Sequence, residues 1–265
     1  MKKGIVYGCL PDVEPQERFE IAARAGFHGV EIPGTLDATD TAYQHQLQDY
    51  KSAAEKAGIE IPSITASTHW SHPLSSNDAN VRQFSADAIS VDIKNAAKVG
   101  ADTILVVPGV VNDETTYEDA WKNSLRVLRE LSKIAADHDV TLALENVWNK
   151  FLLSPVEFKQ YLQEVDSPFV KAYFDVGNIQ LIGVPAHWIL TLGDLLHRVH
   201  VKDFRKSDRQ FLHLLHGEVN WPAVVKSLRE VGYDNYVTAE LAPYPQLPDQ
   251  MAIDTSNALD RIFEM

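Results

Sequence analysis

Three carboxylates and an imidazole stand at or near the ends of four runs that otherwise read as buried strand. Glu145 closes TLALE, Asp175 closes KAYFD, His200 lies in RVHVKDF and Glu240 closes YVTAE. Carboxylates gathered in one place repel each other and raise one another's pKa. A divalent cation removes that repulsion and takes oxygen and imidazole donors in this mix. Four protein ligands would leave two positions on an octahedral ion, which a substrate with adjacent carbonyl and hydroxyl oxygens could fill. A single Glu or His at a strand end is more often a hydrogen-bonded structural group. Four of them on successive strands make a metal site as good a reading as a structural one.

Bringing four strand tips together is a task for a parallel sheet. RAGFHGVEI, KAGIEIPSI, KVGADTILVV and EVGYDNYVTAE each place a glycine between a helical pattern and a strand pattern. Gly26, Gly58, Gly100 and Gly232 are natural residues to follow a helix in the left-handed conformation. Strands are expected near 4–8, 28–32, 60–65, 102–107, 140–145, 170–175, 198–203 and 236–241. Helices are expected near 14–25, 42–57, 82–98, 116–138, 155–164, 186–196, 221–231 and 250–263. Eight alternating units in a chain of 265 residues point to one α/β domain over 1–265, a closed (β/α)8 TIM barrel. An open doubly wound sheet is the alternative, but no G-x-G-x-x-G or Walker pattern supports it.

Side chains alternate faces along a strand. Leu142 and Leu144 oppose Thr141, Ala143 and Glu145; Val199 and Val201 oppose Arg198, His200 and Lys202; Val30 and Ile32 oppose Gly29 and Glu31. The apolar face suits the outer helices. The mixed face then lines the barrel, with its charged residue at the C-terminal end, where barrels of this kind hold their active sites.

Composition narrows the partners. With 37 acidic and 24 basic side chains, the formal net charge is −13, a poor match for nucleic acid. Nowhere does an apolar run approach the roughly 20 residues of a membrane span. Cys9 is the only cysteine, so no internal disulfide forms, and a reducing, cytoplasmic setting is expected. The expected partner is a small-molecule sugar or sugar phosphate, with no nucleic acid and no membrane. A homo-oligomer, dimer or tetramer, is left open.

The segments LENVWNKFLLSP, YFDVGNI, RVHVKDF, HGEVNWPAVVKSLREVGYDNYVTAE and HPLSSNDANVR resemble the sugar-phosphate isomerase/epimerase family of xylose-isomerase-like barrels. Within it they are most similar to L-ribulose- and L-xylulose-5-phosphate 3-epimerases and hexulose-6-phosphate isomerases, and more distantly to free-ketose epimerases such as D-tagatose 3-epimerase. The resemblance spans nearly the whole chain and is densest from residue 141. It implies one divalent ion per chain (Mn2+ first; Mg2+, Co2+ or Zn2+ otherwise) held by Glu145, Asp175, His200 and Glu240. It also implies that Glu145 and Glu240 are the acid/base pair. The ion would stabilise the enediolate formed when a proton leaves the carbon beside a carbonyl; one glutamate removes that proton and the other returns it. Return to the opposite face gives 3-epimerisation, the expected reaction, and return to the neighbouring carbon gives isomerisation. Free-ketose epimerases carry a histidine where this chain has Asn178, a departure that favours phosphorylated substrates.

Other expectations rest on position. Arg205 and Lys206, just past His200 with Arg209, are candidate phosphate ligands. His69, Trp70, Asn146, Trp148 and Asn178 are candidate sugar contacts, and Asn149 follows in the same loop as Asn146. Glu31 and Lys202 read as a structural ion pair. Cys9 reads as a small residue at a strand end. The rival functions are a polyol dehydratase with the same metal and base, a non-catalytic sugar-binding barrel, and an endonuclease-IV-like phosphodiesterase. The last needs more histidines and a less acidic chain.

Overall fold

The computed structural model describes residues 1–265. Its strands are β1 (Lys2–Val6), β2 (Gly29–Pro33), β3 (Ser63–Thr65), β4 (Thr103–Val106), β5 (Thr141–Glu145), β6 (Val170–Asp175), β7 (Leu196–Val201), β8 (Asp203–Arg205), β9 (Gln210–Leu212) and β10 (Tyr236–Ala239). The helices are α1 (Pro15–Ala25), α2 (Thr41–Ala57), α3 (Ala79–Val99), α4 (Tyr117–Asp137), α5 (Pro155–Val165), α6 (Val176–Ile179), α7 (Pro185–Leu192), α8 (Trp221–Glu230) and α9 (Pro248–Phe263). Eight strands close a parallel barrel in the order β1-β10-β7-β6-β5-β4-β3-β2, and β8 pairs with β9 in a separate antiparallel hairpin. The expected barrel is therefore the observed one. No helix is long and apolar enough to cross a membrane.

Local chemistry explains most boundaries. Asp40, Asp78, Thr116, Ser154 and Asn220 accept backbone N–H bonds at the starts of α2, α3, α4, α5 and α8. Gly26, Gly58 and Gly100 follow α1, α2 and α3 with φ of 89°, 71° and 79°. The third strand is shorter than expected: Pro62 has no N–H to give a ladder, and Glu60 makes only an isolated bridge to Gly29. Two features had no counterpart in the expected alternation. They are the one-turn α6, which follows β6 without a loop, and the β8–β9 hairpin after β7.

The main core of 63 buried residues lies between the outer faces of the strands and the helices, whereas the apolar cluster of Leu105, Ala143 and Tyr173 stands apart from it. The barrel lumen is otherwise polar, as the mixed strand faces required. At the N-terminal end, Arg198 is buried, pairs with Asp102 at 2.5 Å and lies 5.9 Å from the centroid of the Tyr236 ring.

Candidate metal and proton-transfer site

One ligand atom from each of Glu145, Asp175, His200 and Glu240 lies within 4.8 Å of all the others. Glu145 and Asp175 are the last residues of β5 and β6, His200 is in β7, and Glu240 immediately follows β10. The Glu240 N–H donates to the Val201 carbonyl at 3.1 Å, which keeps it in ladder register beyond the strand. Asn146 fixes the next strand tip. Its Nδ2 donates to the Asp175 carbonyl and its Oδ1 accepts from the Asp175 N–H, both at 2.9 Å. Asn178 Nδ2 then donates to the Asn146 carbonyl at 2.9 Å. Asp175 also caps α6, with Oδ1 accepting from the Asn178 N–H at 2.6 Å.

Around His200, Nδ1 lies 3.1 Å from Glu145 Oε1 and 3.9 Å from Glu240 Oε2, while Nε2 lies 3.0 Å from Glu31 Oε1. Burial pushes the Glu145 carboxyl up to about 7, with Glu240 and Asp175 adding to the shift and His200 opposing it. Burial also raises Asp175 against the pull of Lys202. Glu240 is held below the usual range: burial works upward, but His200 and Lys202 outweigh it. His200 itself is held well above its ordinary value, because Glu31 and Glu145 overcome its burial.

This donor set fits a divalent ion. The buried Asp175 Oδ2 accepts no hydrogen bond, although Lys202 Nζ is 3.2 Å away. Buried acceptors are seldom left so. Three carboxylate oxygens and one imidazole nitrogen face one another, and their mutual crowding is the repulsion a cation relieves. These four residues would hold it.

Above the cluster opens a cavity of about 520 Å3. His69, Trp70, Trp148 and Asn178, expected as sugar contacts, line it. His69 is buried with Nδ1 unpartnered, and burial lowers its pKa to about 4, so the imidazole is neutral. The Trp148 indole donates to the Asn178 carbonyl at 2.9 Å. Asn146 does not line the cavity, because both ends of its amide are engaged by the Asp175 backbone. Asn149 likewise donates to the Gly109 carbonyl at 2.6 Å. Arg205 and Lys206 are outside the lining: Arg205 pairs with Asp208 at 2.5 Å, and Lys206 is exposed in the hairpin turn.

The expected Glu31–Lys202 pair is not formed. Glu31 is taken up by His200, Ser63, Thr65 and Tyr173, and the Lys202 ammonium lies between Asp175 and Glu240. Strand alternation fixes which face a residue is on, not which inward neighbour it meets across a barrel. Cys9 lies just past β1, where its sulfur accepts the Leu241 N–H at 3.1 Å and burial pushes the thiol up to about 12. Sequence reasoning missed Phe211. It lines the cavity from the hairpin, 4.8 Å between ring centroids from Trp148 and 4.9 Å from Lys202 Nζ. The available signal was an aromatic residue directly after the charged run RKSDRQ, in the segment that follows the histidine strand.

The comparisons agree with this architecture. Residues 19–260 match the model of the xylose isomerase-like TIM barrel family. The chain is 25% identical over 177 residues to the uncharacterized protein MJ1311 of Methanocaldococcus jannaschii, a match that covers 64% of the chain and 60% of that protein. It is 30% identical over 237 residues to SgbU of Escherichia coli K12, named as a candidate L-ribulose-5-phosphate 3-epimerase; that match covers 84% of the chain and 82% of SgbU. The crystal structure of a D-tagatose 3-epimerase-like protein shares the fold with a TM-score of 0.85 at 21% identity, covering 100% of this chain and 97% of that one. On the family match across its barrel, the chain belongs to the xylose isomerase-like TIM barrel family.

Proposed function

We propose that this protein is a divalent-metal-dependent ketose 3-epimerase, in which Glu145 and Glu240 exchange a proton with the carbon beside the substrate carbonyl. The observation that carries the reading is the convergence of Glu145, Asp175, His200 and Glu240 beneath one cavity. The name of the Escherichia coli relative supports epimerisation at C3.

When bound, a divalent ion supplies Lewis acidity, drawing charge from the carbonyl and its neighbouring oxygen as the proton leaves, worth several kcal/mol. Mn2+ is the first choice, with Mg2+, Co2+ and Zn2+ fitting the same donors. The two glutamates stand on different strands, so one takes the proton from one face of the carbon and the other returns it to the opposite face. Positioned acid/base groups of this kind contribute typically about 100- to 10,000-fold each. Trp70, Trp148 and Phe211 exclude water from the sugar, and His69 stands in the same wall.

The cavity lining contains one lysine, already engaged by carboxylates, and no arginine. That favours a ketose whose far end is uncharged. A second reading, a ketose phosphate held by Arg205 and Lys206, is favoured by the relative's name. Xylulose and xylulose 5-phosphate, incubated in deuterated water with and without Mn2+, test both. Metal-dependent deuterium at C3 of the inverted product is expected. Turnover that survives chelation would end the metal reading, and loss of water from the sugar would make the protein a dehydratase. A preference for the phosphate that Arg205→Ala abolishes would establish the second reading.

A further inference from the structure

Glu31 is almost inaccessible inside the barrel, yet its carboxylate meets four donors from three strands. Oε2 accepts from Ser63 Oγ at 2.6 Å and from the Tyr173 hydroxyl at 2.7 Å. Oε1 accepts from Thr65 Oγ1 at 2.8 Å and lies 3.0 Å from His200 Nε2. An ionised carboxylate can only accept, so each neighbour must point a proton at it. The proton on Nε2 is thereby assigned. In the neutral imidazole the lone pair is then on Nδ1, the nitrogen that faces Glu145 and Glu240. Nδ1 and Glu145 Oε1 are two acceptors 3.1 Å apart. Either a proton or a cation must hold them together.

We propose that Glu31 is a positioning residue for the metal site, fixing His200 in the tautomer and orientation that present Nδ1 as the ligand. This inference rests on the metal reading above. Tyr173 serves the same end twice: its hydroxyl anchors Glu31, and its ring packs on the imidazole with centroids 4.4 Å apart. Ligating histidines commonly give their second N–H to a carboxylate, which orients the ring and raises its basicity. Here the carboxylate comes from β2, on the side of the barrel that supplies no ligand, so the β2–β3 half takes part in holding the ion.

The test is Glu31→Gln, read by Mn2+ titration and by 15N NMR of the histidine rings in the Mg2+- or Zn2+-loaded wild type and in the metal-free variant. A glutamine amide turned toward Nε2 would favour the Nδ1–H tautomer. The expected result is a Kd for Mn2+ raised about 10- to 100-fold, with the Nε2–H signal of His200 present in wild type and lost in the variant. Ser63→Ala trims the same network without touching His200 and should keep both the tautomer and most of the affinity. A merely structural role for Glu31 would lower the melting temperature and leave the tautomer alone. A folded Glu31→Gln protein that binds Mn2+ like wild type, with Nε2–H retained, would overturn the inference. If the variant does not fold, the wild-type spectrum decides alone: a His200 ligated through Nε2 overturns it. A wild type that binds no divalent cation removes the metal reading first, and this inference with it.

Discussion

Glu145 and Glu240 carry the same side chain in unlike surroundings. Glu145 is buried against His200, whereas Glu240 is partly open to the cavity and tied to Lys202. Replacing either by glutamine should cut turnover by at least about 100-fold, measured as kcat on the ketose that exchanges deuterium. Glu145→Gln in metal-loaded protein should stop exchange into product even where the ketose still binds. Away from the site, Asp92 makes a separate prediction. Its carboxyl is buried on α3, with Oδ1 accepting the Thr35 N–H at 3.0 Å and Oδ2 unpartnered. Burial pushes its pKa up to about 7. The folded protein thus keeps this proton while the unfolded chain releases it near 4. Its contribution is intact in acid, falls as pH rises from about 4 to about 7, and stays low above that. Asp92→Asn should therefore flatten stability against pH between those values and gain on wild type above pH 7, by denaturant unfolding at a series of pH values.

At the scale of elements, the short α6 and the hairpin do what the βα repeat alone does not. Helix α6 presses so closely on β7 that a Cβ on Gly177 would stand 2.4 Å from Lys202 Cγ and 2.8 Å from the Lys202 carbonyl oxygen. Gly177→Ala must push α6 outward and take Asp175 with it. A loss of about 1–3 kcal/mol in stability and weaker Mn2+ binding are expected from urea unfolding and metal titration. The sequence made the repeat legible because glycine helix ends and strand alternation are local signals. It made the quartet legible because each member stands at a strand end, where alternation assigns its face. Asn146 was read as a sugar contact because nothing local shows that its amide turns back on a neighbouring strand. The Glu31–Lys202 pair failed for a related reason, since partners across a lumen are set by barrel closure. Arg205 looked available in the sequence, and Asp208, three residues on, engages it in the hairpin.

For the whole molecule, the site ties the neighbouring strands β5, β6, β7 and β10 through one cluster, so binding of an ion there would be linked to folding. A cation that binds only the folded chain stabilises it by about 2.7 kcal/mol at a hundredfold excess over its Kd. Mn2+ should raise the melting temperature by about 5 °C or more, and chelator should reverse the gain. Asp175→Asn should abolish that gain; a metal-induced shift that survives the substitution would place the ion elsewhere.

The β8–β9 hairpin belongs to no barrel strand pair, yet it delivers Phe211 to the cavity wall. The quartet, Asn146 and Glu31 are all rooted in the barrel or its immediate turns. One wall of the cavity is therefore built apart from the strand ends that carry the quartet. A hairpin of different length or polarity would reshape that wall while the backbone that carries Glu145, Asp175, His200 and Glu240 stayed in its barrel register.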